Sequence, residues 1–163
     1  MSRTSALILV YPYSTSSHII PLLDLTHRFI TRSLTVIVLI TPNNLSLLDP
    51  LFPRHHCSSI QSLVLQGPTP RNSTAPHHRL FAIMGGLRDL HYSAILYWFL
   101  SHPSSPVAII SDFFLGWTQN LASELGIKRI VFSPSGTFGY SVEEAIWKAL
   151  PKKKTDDDAD NNN

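Results

Sequence analysis

Leu34–Ile40 reads LTVIVLI, and the polar turn Thr41-Pro42-Asn43-Asn44 ends it. A β-branched, apolar run with no polar alternation predicts a strand covered on both faces. Ala6–Val10 (ALILV) has the same character, and Ile60–Leu65 (IQSLVL), Val107–Ile110 (VAII) and Arg129–Phe132 (RIVF) complete a set of five. Amphipathic stretches lie between them. After the polar turn Ser14–Ser17, Ile20, Leu22, Leu23, Leu25, Phe29 and Ile30 give a helix its apolar face, with Pro21 expected in the first turn. A short helix carries Leu45, Leu48 and Leu51, and Gln66–His78, with three prolines, reads as a loop. Leu80–Leu100 predicts a long helix bent at Gly85-Gly86. Gly116–Leu125 is a helix closed by Gly126 in the C′ position, and Gly139–Leu150 is the last helix.

Strands alternating with helices give an α/β fold: a parallel sheet of about five strands with helices on both faces. Right-handed crossovers favour the doubly wound order 3-2-1-4-5, in which the first and fourth strands are neighbours. Ligands bind such sheets in the crevice outside the carboxyl ends of the strands, where the winding reverses. His18 lies in the connection after the first strand, and Asp112 directly follows the fourth. The topology therefore sets them on either side of that crevice.

A histidine beside a carboxylate is a general-base arrangement. The carboxylate accepts the imidazole Nδ1–H and fixes the tautomer, which leaves the far nitrogen free to take a hydroxyl proton. Two plainer readings stay open: Asp112 as a cap of the helix containing Trp117, and His18 as a solvated loop residue. Tyr13-Ser14-Thr15-Ser16-Ser17 contains no G-x-G-x-x-G, which disfavours a dinucleotide-binding domain. No G-x-S-x-G elbow occurs either. His55-His56-Cys57 and His77-His78 lack the spacing of a zinc site and are expected in surface loops, so no metal is expected. Asp24 and Arg28, spaced i, i+4, predict an ion pair on a helix surface.

The 163 residues are 44% hydrophobic, enough for one sizeable core. A net charge of +2 gives no reason to expect a nucleic-acid partner, and the single Cys57 requires no oxidising compartment. Arg88, Asp89 and His91 interrupt the longest apolar stretch, so no membrane span is expected, and a cytoplasmic location is the default. From Pro151 the chain turns to Lys152–Lys154, four aspartates and three asparagines. Residues 1–150 are thus expected to form the domain and 151–163 a polar, disordered tail.

Several of these segments are familiar together. Pro12–Leu25 (PYSTSSHIIPLLDL), Leu34–Asn44, His102–Thr118 (HPSSPVAIISDFFLGWT) and Gly126–Gly136 (GIKRIVFSPSG) resemble the plant UDP-dependent glycosyltransferases. The resemblance implies the Rossmann-like, acceptor-binding N-terminal half of a GT-B fold. It implies His18 as base and Asp112 as its partner, a phenolic or flavonoid acceptor, and inverting transfer of a hexose from a UDP-sugar. The UDP-sugar is a co-substrate; no resident cofactor and no metal are implied. Tyr13, Ser16, Phe113 and Phe138 are implied at the acceptor, with Ser17 and Ser135 near the donor sugar. Core packing is the alternative for both phenylalanines.

Three departures accompany the resemblance. Ser16-Ser17 stands where many members have Gln-Gly, Ser33 stands where a glycine usually follows the first helix, and the loop before the long helix is shorter. No donor-signature segment occurs in these residues. The expectation is therefore an incomplete acceptor domain without its donor-binding half, inactive by itself and using UDP-sugar only if that half is supplied. The alternative is a non-catalytic module that binds a small molecule or a partner.

Overall fold

The computed structural model describes residues 5–69 and 76–149. Five strands, β1 (Leu7–Tyr11), β2 (Thr35–Ile40), β3 (Ile60–Val64), β4 (Ala108–Asp112) and β5 (Lys128–Phe132), form one sheet in the order β3-β2-β1-β4-β5. All four pairings are parallel, with Val10 opposite Val38 on one side and Ile110 on the other. Four helices, α1 (Ser16–Ile30), α2 (Pro76–Ser101), α3 (Thr118–Glu124) and α4 (Thr137–Ala149), occupy the connections and follow the last strand. Two short 3-10 segments, Pro42–Leu48 and Phe52–Arg54, replace the short helix expected around Leu45, Leu48 and Leu51. Pro42 and Pro53 each stand near the start of such a segment, where a missing N–H costs nothing.

Alternation along the strands divides the core in two. Ile8, Val10, Val36, Val38, Ile40 and Ile110 pack against Ile19, Leu22, Leu23 and Ile30 of α1. Leu7, Leu9, Tyr11, Ile37, Leu39 and Ile109 face Leu87 and Ile95 of α2 and Leu121 of α3. The central strands are buried along their length except at Thr35, the first residue of β2, as their unbroken apolar runs require. The edge strands are not: β5 leaves Ile130 and Val131 half exposed. Neighbouring α4 buries none of its described residues, and Phe138 and Trp147 stand open.

Several boundaries differ from expectation for local reasons. Thr15 takes the extended N-cap conformation, so α1 begins at Ser16 and Pro21 sits inside the helix. Proline there leaves the Ser17 carbonyl without an amide partner. The long helix starts at Pro76 rather than Leu80, so His77 and His78 belong to its first turn and not to a loop. It runs as a continuous α-helix past Gly85-Gly86. A Cβ on Gly86 would stand 2.8 Å from Pro68 Cβ, so that glycine serves a close approach of the β3–α2 loop.

Two chain reversals use left-handed backbone. Gly126 closes α3 at φ 67, as expected. Ser33 leaves α1 at φ 63, with its N–H on the Ile30 carbonyl at 2.9 Å and the Leu34 N–H on the Phe29 carbonyl at 3.2 Å. These two bonds form a Schellman turn, which favours glycine where this chain has serine. Among the described residues the ion pairs are His18–Asp112, Arg88–Asp89 and Glu144–Lys148, so Asp24 and Arg28 do not pair. No helix among the described residues is long and apolar enough to cross a membrane. The tail, residues 151–163, lies outside the described residues.

Candidate active site

His18 lies in the first turn of α1, not in the connection before it. Helical side chains lean toward the N-terminus, which throws the imidazole over the carboxyl end of the sheet. Asp112 is the last residue of β4, and the two-residue period sets it on the Ile110 face, toward α1. His18 Nδ1–H donates to Asp112 Oδ2 at 2.7 Å. The other carboxylate oxygen, Oδ1, accepts the backbone N–H of Phe114 at 2.9 Å. The Asp112 side chain is fully buried, whereas that of His18 keeps 15% exposure. Two donors compensate a carboxylate that would otherwise be costly to bury.

This geometry excludes both plainer readings. Asp112 opens a turn closed by the Leu115 N–H on its own carbonyl, while the N-cap of α3 is Trp117. An aspartate whose side chain bonds the backbone two residues on is an Asx turn. His18 is not a solvated loop residue, since three rings surround it. Phe114 stacks at 5.1 Å and Phe113 at 5.9 Å, and Tyr13 meets the imidazole edge-on at 5.4 Å. Burial raises the Tyr13 phenol above its ordinary pKa, the Asp112 charge adds to the rise, and Arg79 opposes it. Anchored through Nδ1, the imidazole makes no protein hydrogen bond through Nε2 among the described residues.

The other expected positions divide. Tyr13 and Phe113 join the pair, while Ser16 and Ser17 are exposed in the first turn of α1. Ser135 is exposed with its N–H on Ser133 Oγ, and Phe138 is 84% exposed on α4. Neither has a hydrogen bond or ring contact to the pair among the described residues. Phe114 went unnoticed in the sequence, although an aspartate ending a strand points its turn at the residue two places on. Arg129 was also missed: its guanidinium reaches Ser111 Oγ at 2.9 Å, and only the strand register reveals that.

A cavity of about 410 Å³ lies between α2 and the β3–α2 loop, lined by Pro68, Arg79, Ile83, Gly86, Asp89 and Leu90, and none of Tyr13, His18, Asp112, Phe113 and Phe114 lines it. Elsewhere His27 Nδ1 and His55 Nε2 share a hydrogen bond of 2.8 Å. Among the described residues no group of three or more His, Cys, Asp or Glu could hold a metal ion.

No family model matches the chain. Among curated proteins, UDP-glycosyltransferase 89B2 of Stevia rebaudiana is 43% identical over 153 residues, which is 90% of this chain and 32% of that protein. Flavonol 3-O-glucosyltransferase UGT89B1 of Arabidopsis thaliana is 37% identical, over 95% of this chain and 34% of its own length. The chain is a relative of the plant UDP-glycosyltransferases. It spans about a third of the length of the curated glycosyltransferases it matches. The crystal structure of Arabidopsis thaliana UGT89C1 complexed with quercetin superposes with a TM-score of 0.76 at 31% identity. That match covers 85% of this chain and 37% of UGT89C1. The complex of the same glycosyltransferase with UDP-L-rhamnose gives a TM-score of 0.77. The sheet is therefore the N-terminal part of the GT-B glycosyltransferase fold.

Proposed function

We propose that this chain supplies the acceptor-binding side and the base of a UDP-sugar-dependent glycosyl transfer to a phenolic, flavonoid-type hydroxyl. The observation that carries the reading is the 2.7 Å bond between His18 Nδ1 and buried Asp112. With Nδ1–H committed to the carboxylate, Nε2 accepts the acceptor's hydroxyl proton, and Asp112 stabilises the imidazolium that results. The freed oxygen forms a bond to the anomeric carbon from the face opposite UDP. The bond to the diphosphate breaks with its electron pair on UDP, which inverts the centre. No metal and no resident cofactor enter these steps.

Phe113 and Phe114, half-buried beside His18, suit a flat aromatic acceptor with one hydroxyl at Nε2, and Tyr13, 4% exposed, would back that side of the site through its edge-on contact with the imidazole. The names of the relatives, flavonol glucosyltransferase and flavonol rhamnosyltransferase, support that acceptor class. Ser16 belongs to the acceptor side in this reading, as does Phe138, and Ser17 and Ser135 to the donor sugar. No glycine-rich turn follows β1 to hold a diphosphate. We therefore assign the donor to a C-terminal partner domain and expect these 163 residues alone to bind acceptor without turning it over.

Incubation with UDP-glucose and a flavonol panel, read by chromatography beside calorimetric titration with each flavonol, tests the assignment. Saturable binding without glycoside formation is expected. A chimera carrying the C-terminal part of a relative should form glycoside and lose it on His18→Ala. Glycoside formation by that His18→Ala chimera at an undiminished rate would overturn the role of His18.

A further inference from the structure

Behind the pair, on the opposite face of β4, a second polar assembly grips the same turn. Arg129 Nε–H donates to Ser111 Oγ at 2.9 Å, and Nη2 donates to the carbonyls of Asp112 and Leu115, each at 3.4 Å. Ser111 Oγ shares a 2.7 Å bond with Thr118 Oγ1, which itself donates to the Leu115 carbonyl at 2.7 Å. Ser111 and Thr118 are fully buried. One guanidinium thus ties the entry and the exit of the Asp112–Leu115 turn and, through two hydroxyls, the first residue of α3. The turn's own amides are also engaged: Phe113 N–H donates to the Phe132 carbonyl at 2.9 Å and Leu115 N–H to the Asp112 carbonyl at 3.0 Å, while Phe114 N–H donates to Asp112 Oδ1 at 2.9 Å. These bonds fix the amides of the turn, and the guanidinium is the side-chain group that holds its carbonyls from behind.

We propose that Arg129 is a positioning residue: by clamping the β4–α3 turn it holds the Asp112 carboxylate against His18 and so fixes the Nδ1–H tautomer. The inference rests on reading His18 as the base. Arg129 touches no acceptor and lies across the strand from the imidazole, so its effect travels through the turn backbone. The tolerance is small. A backbone shift of about 1 Å would carry the Asp112 oxygen out of hydrogen-bond range and free the imidazole to exchange tautomers.

The test reads the imidazole of His18 directly, by nitrogen-15 NMR of the full chain, and needs no turnover. Wild type should show a slowly exchanging Nδ1–H and a basic Nε2. Arg129→Met removes the donors and keeps the stem. It should speed exchange of that proton about tenfold, the worth of one hydrogen bond, and mix the tautomers. Arg129→Lys should recover part of the effect. Ser111→Ala, which fills nearly the same space, should move the signal in the same direction by less, and it decides the matter if Arg129→Met does not fold. The His91 Nε2–H, donated to the Gln66 carbonyl at 2.7 Å, is an internal reference that should stay unchanged. An unaltered His18 signature in the folded variants overturns the role of Arg129 and leaves the base assignment standing. Absence of the Nδ1–H signal in wild type overturns the base assignment itself.

Discussion

Replacing Asp112 by asparagine should leave the fold and remove the base. The carboxylate accepts two hydrogen bonds, one from His18 Nδ1 and one from the Phe114 N–H. An asparagine of the same shape keeps only one acceptor. Its oxygen must stay with the Phe114 amide, which cannot change its role, so the NH2 turns toward His18. The imidazole then has to present a lone pair at Nδ1, and its proton moves to Nε2. Two hydrogen bonds survive, but each loses its charge assistance, a cost of about 1 kcal/mol per bond and about 2 kcal/mol in all. Asp112→Ala loses both bonds and strands the amide, for a loss of about 3–4 kcal/mol. Urea denaturation separates the two costs, and imidazole nitrogen-15 shifts report the tautomer. The decisive expectation is that Asp112→Asn holds His18 as the Nε2–H form, which cannot accept a hydroxyl proton. Retention of the Nδ1–H form in that variant would refute the reasoning, because no acceptor for that proton would then remain.

Ser33→Gly should stabilise the chain by about 0.5–1 kcal/mol, since Ser33 stands at φ 63 and its side chain donates no hydrogen bond among the described residues. Thermal unfolding should show a rise of a few degrees, and a fall would refute the account of that turn. Gly86→Ala should destabilise by driving a Cβ to 2.8 Å from the Pro68 ring, whereas Gly85→Ala, which meets nothing among the described residues, should gain about 0.5–1 kcal/mol of helix propensity. Equal effects at the two positions, measured by urea midpoint, would dismiss the close approach. Stability should also fall with acid. Burial lowers the pKa of His91, as burial together with His27 and Arg54 lowers that of His55. The unfolded chain therefore takes up protons near the ordinary value of about 6.5 while the folded one resists. The contribution is present above that pH and is lost below it, so the urea midpoint should be lower at pH 5.5 than at pH 7.5. His91→Gln should flatten the difference.

The sheet was legible because its central strands carry their burial in composition: LTVIVLI and ALILV have nowhere to go but an interior. Topology followed, and with it the nearness of His18 and Asp112. Finer features depended on information that periodicity does not contain. The start of α1 could not be read from a run of small hydroxyl residues, Ser14–Ser17, any of which can cap a helix. The close approach at Gly86 could not be read from its own helix, because a glycine's reason for being there can lie in another segment, here Pro68. The exposed faces of β5 and α4 could not be read from RIVF, since an apolar strand looks alike at the centre and the edge of a sheet. Arg129 resembled any strand-end cation until the register brought its side chain to Ser111. The meeting of His27 with His55 is a contact between separate elements that spacing alone does not encode.

The two halves of the site are 94 residues apart in the chain, with β2, β3 and α2 between them. A ribosome adding roughly 5–20 residues per second needs about 5–20 s to pass from one to the other. During that interval His18 has been made but has no carboxylate to orient it, and one flank of β1 has no strand beside it. The segment through β3 pairs locally and can assemble first, whereas β4 must close a long loop to dock. The dyad is therefore a late product of folding, and the signal of its hydrogen-bonded proton would mark when the centre of the sheet has closed.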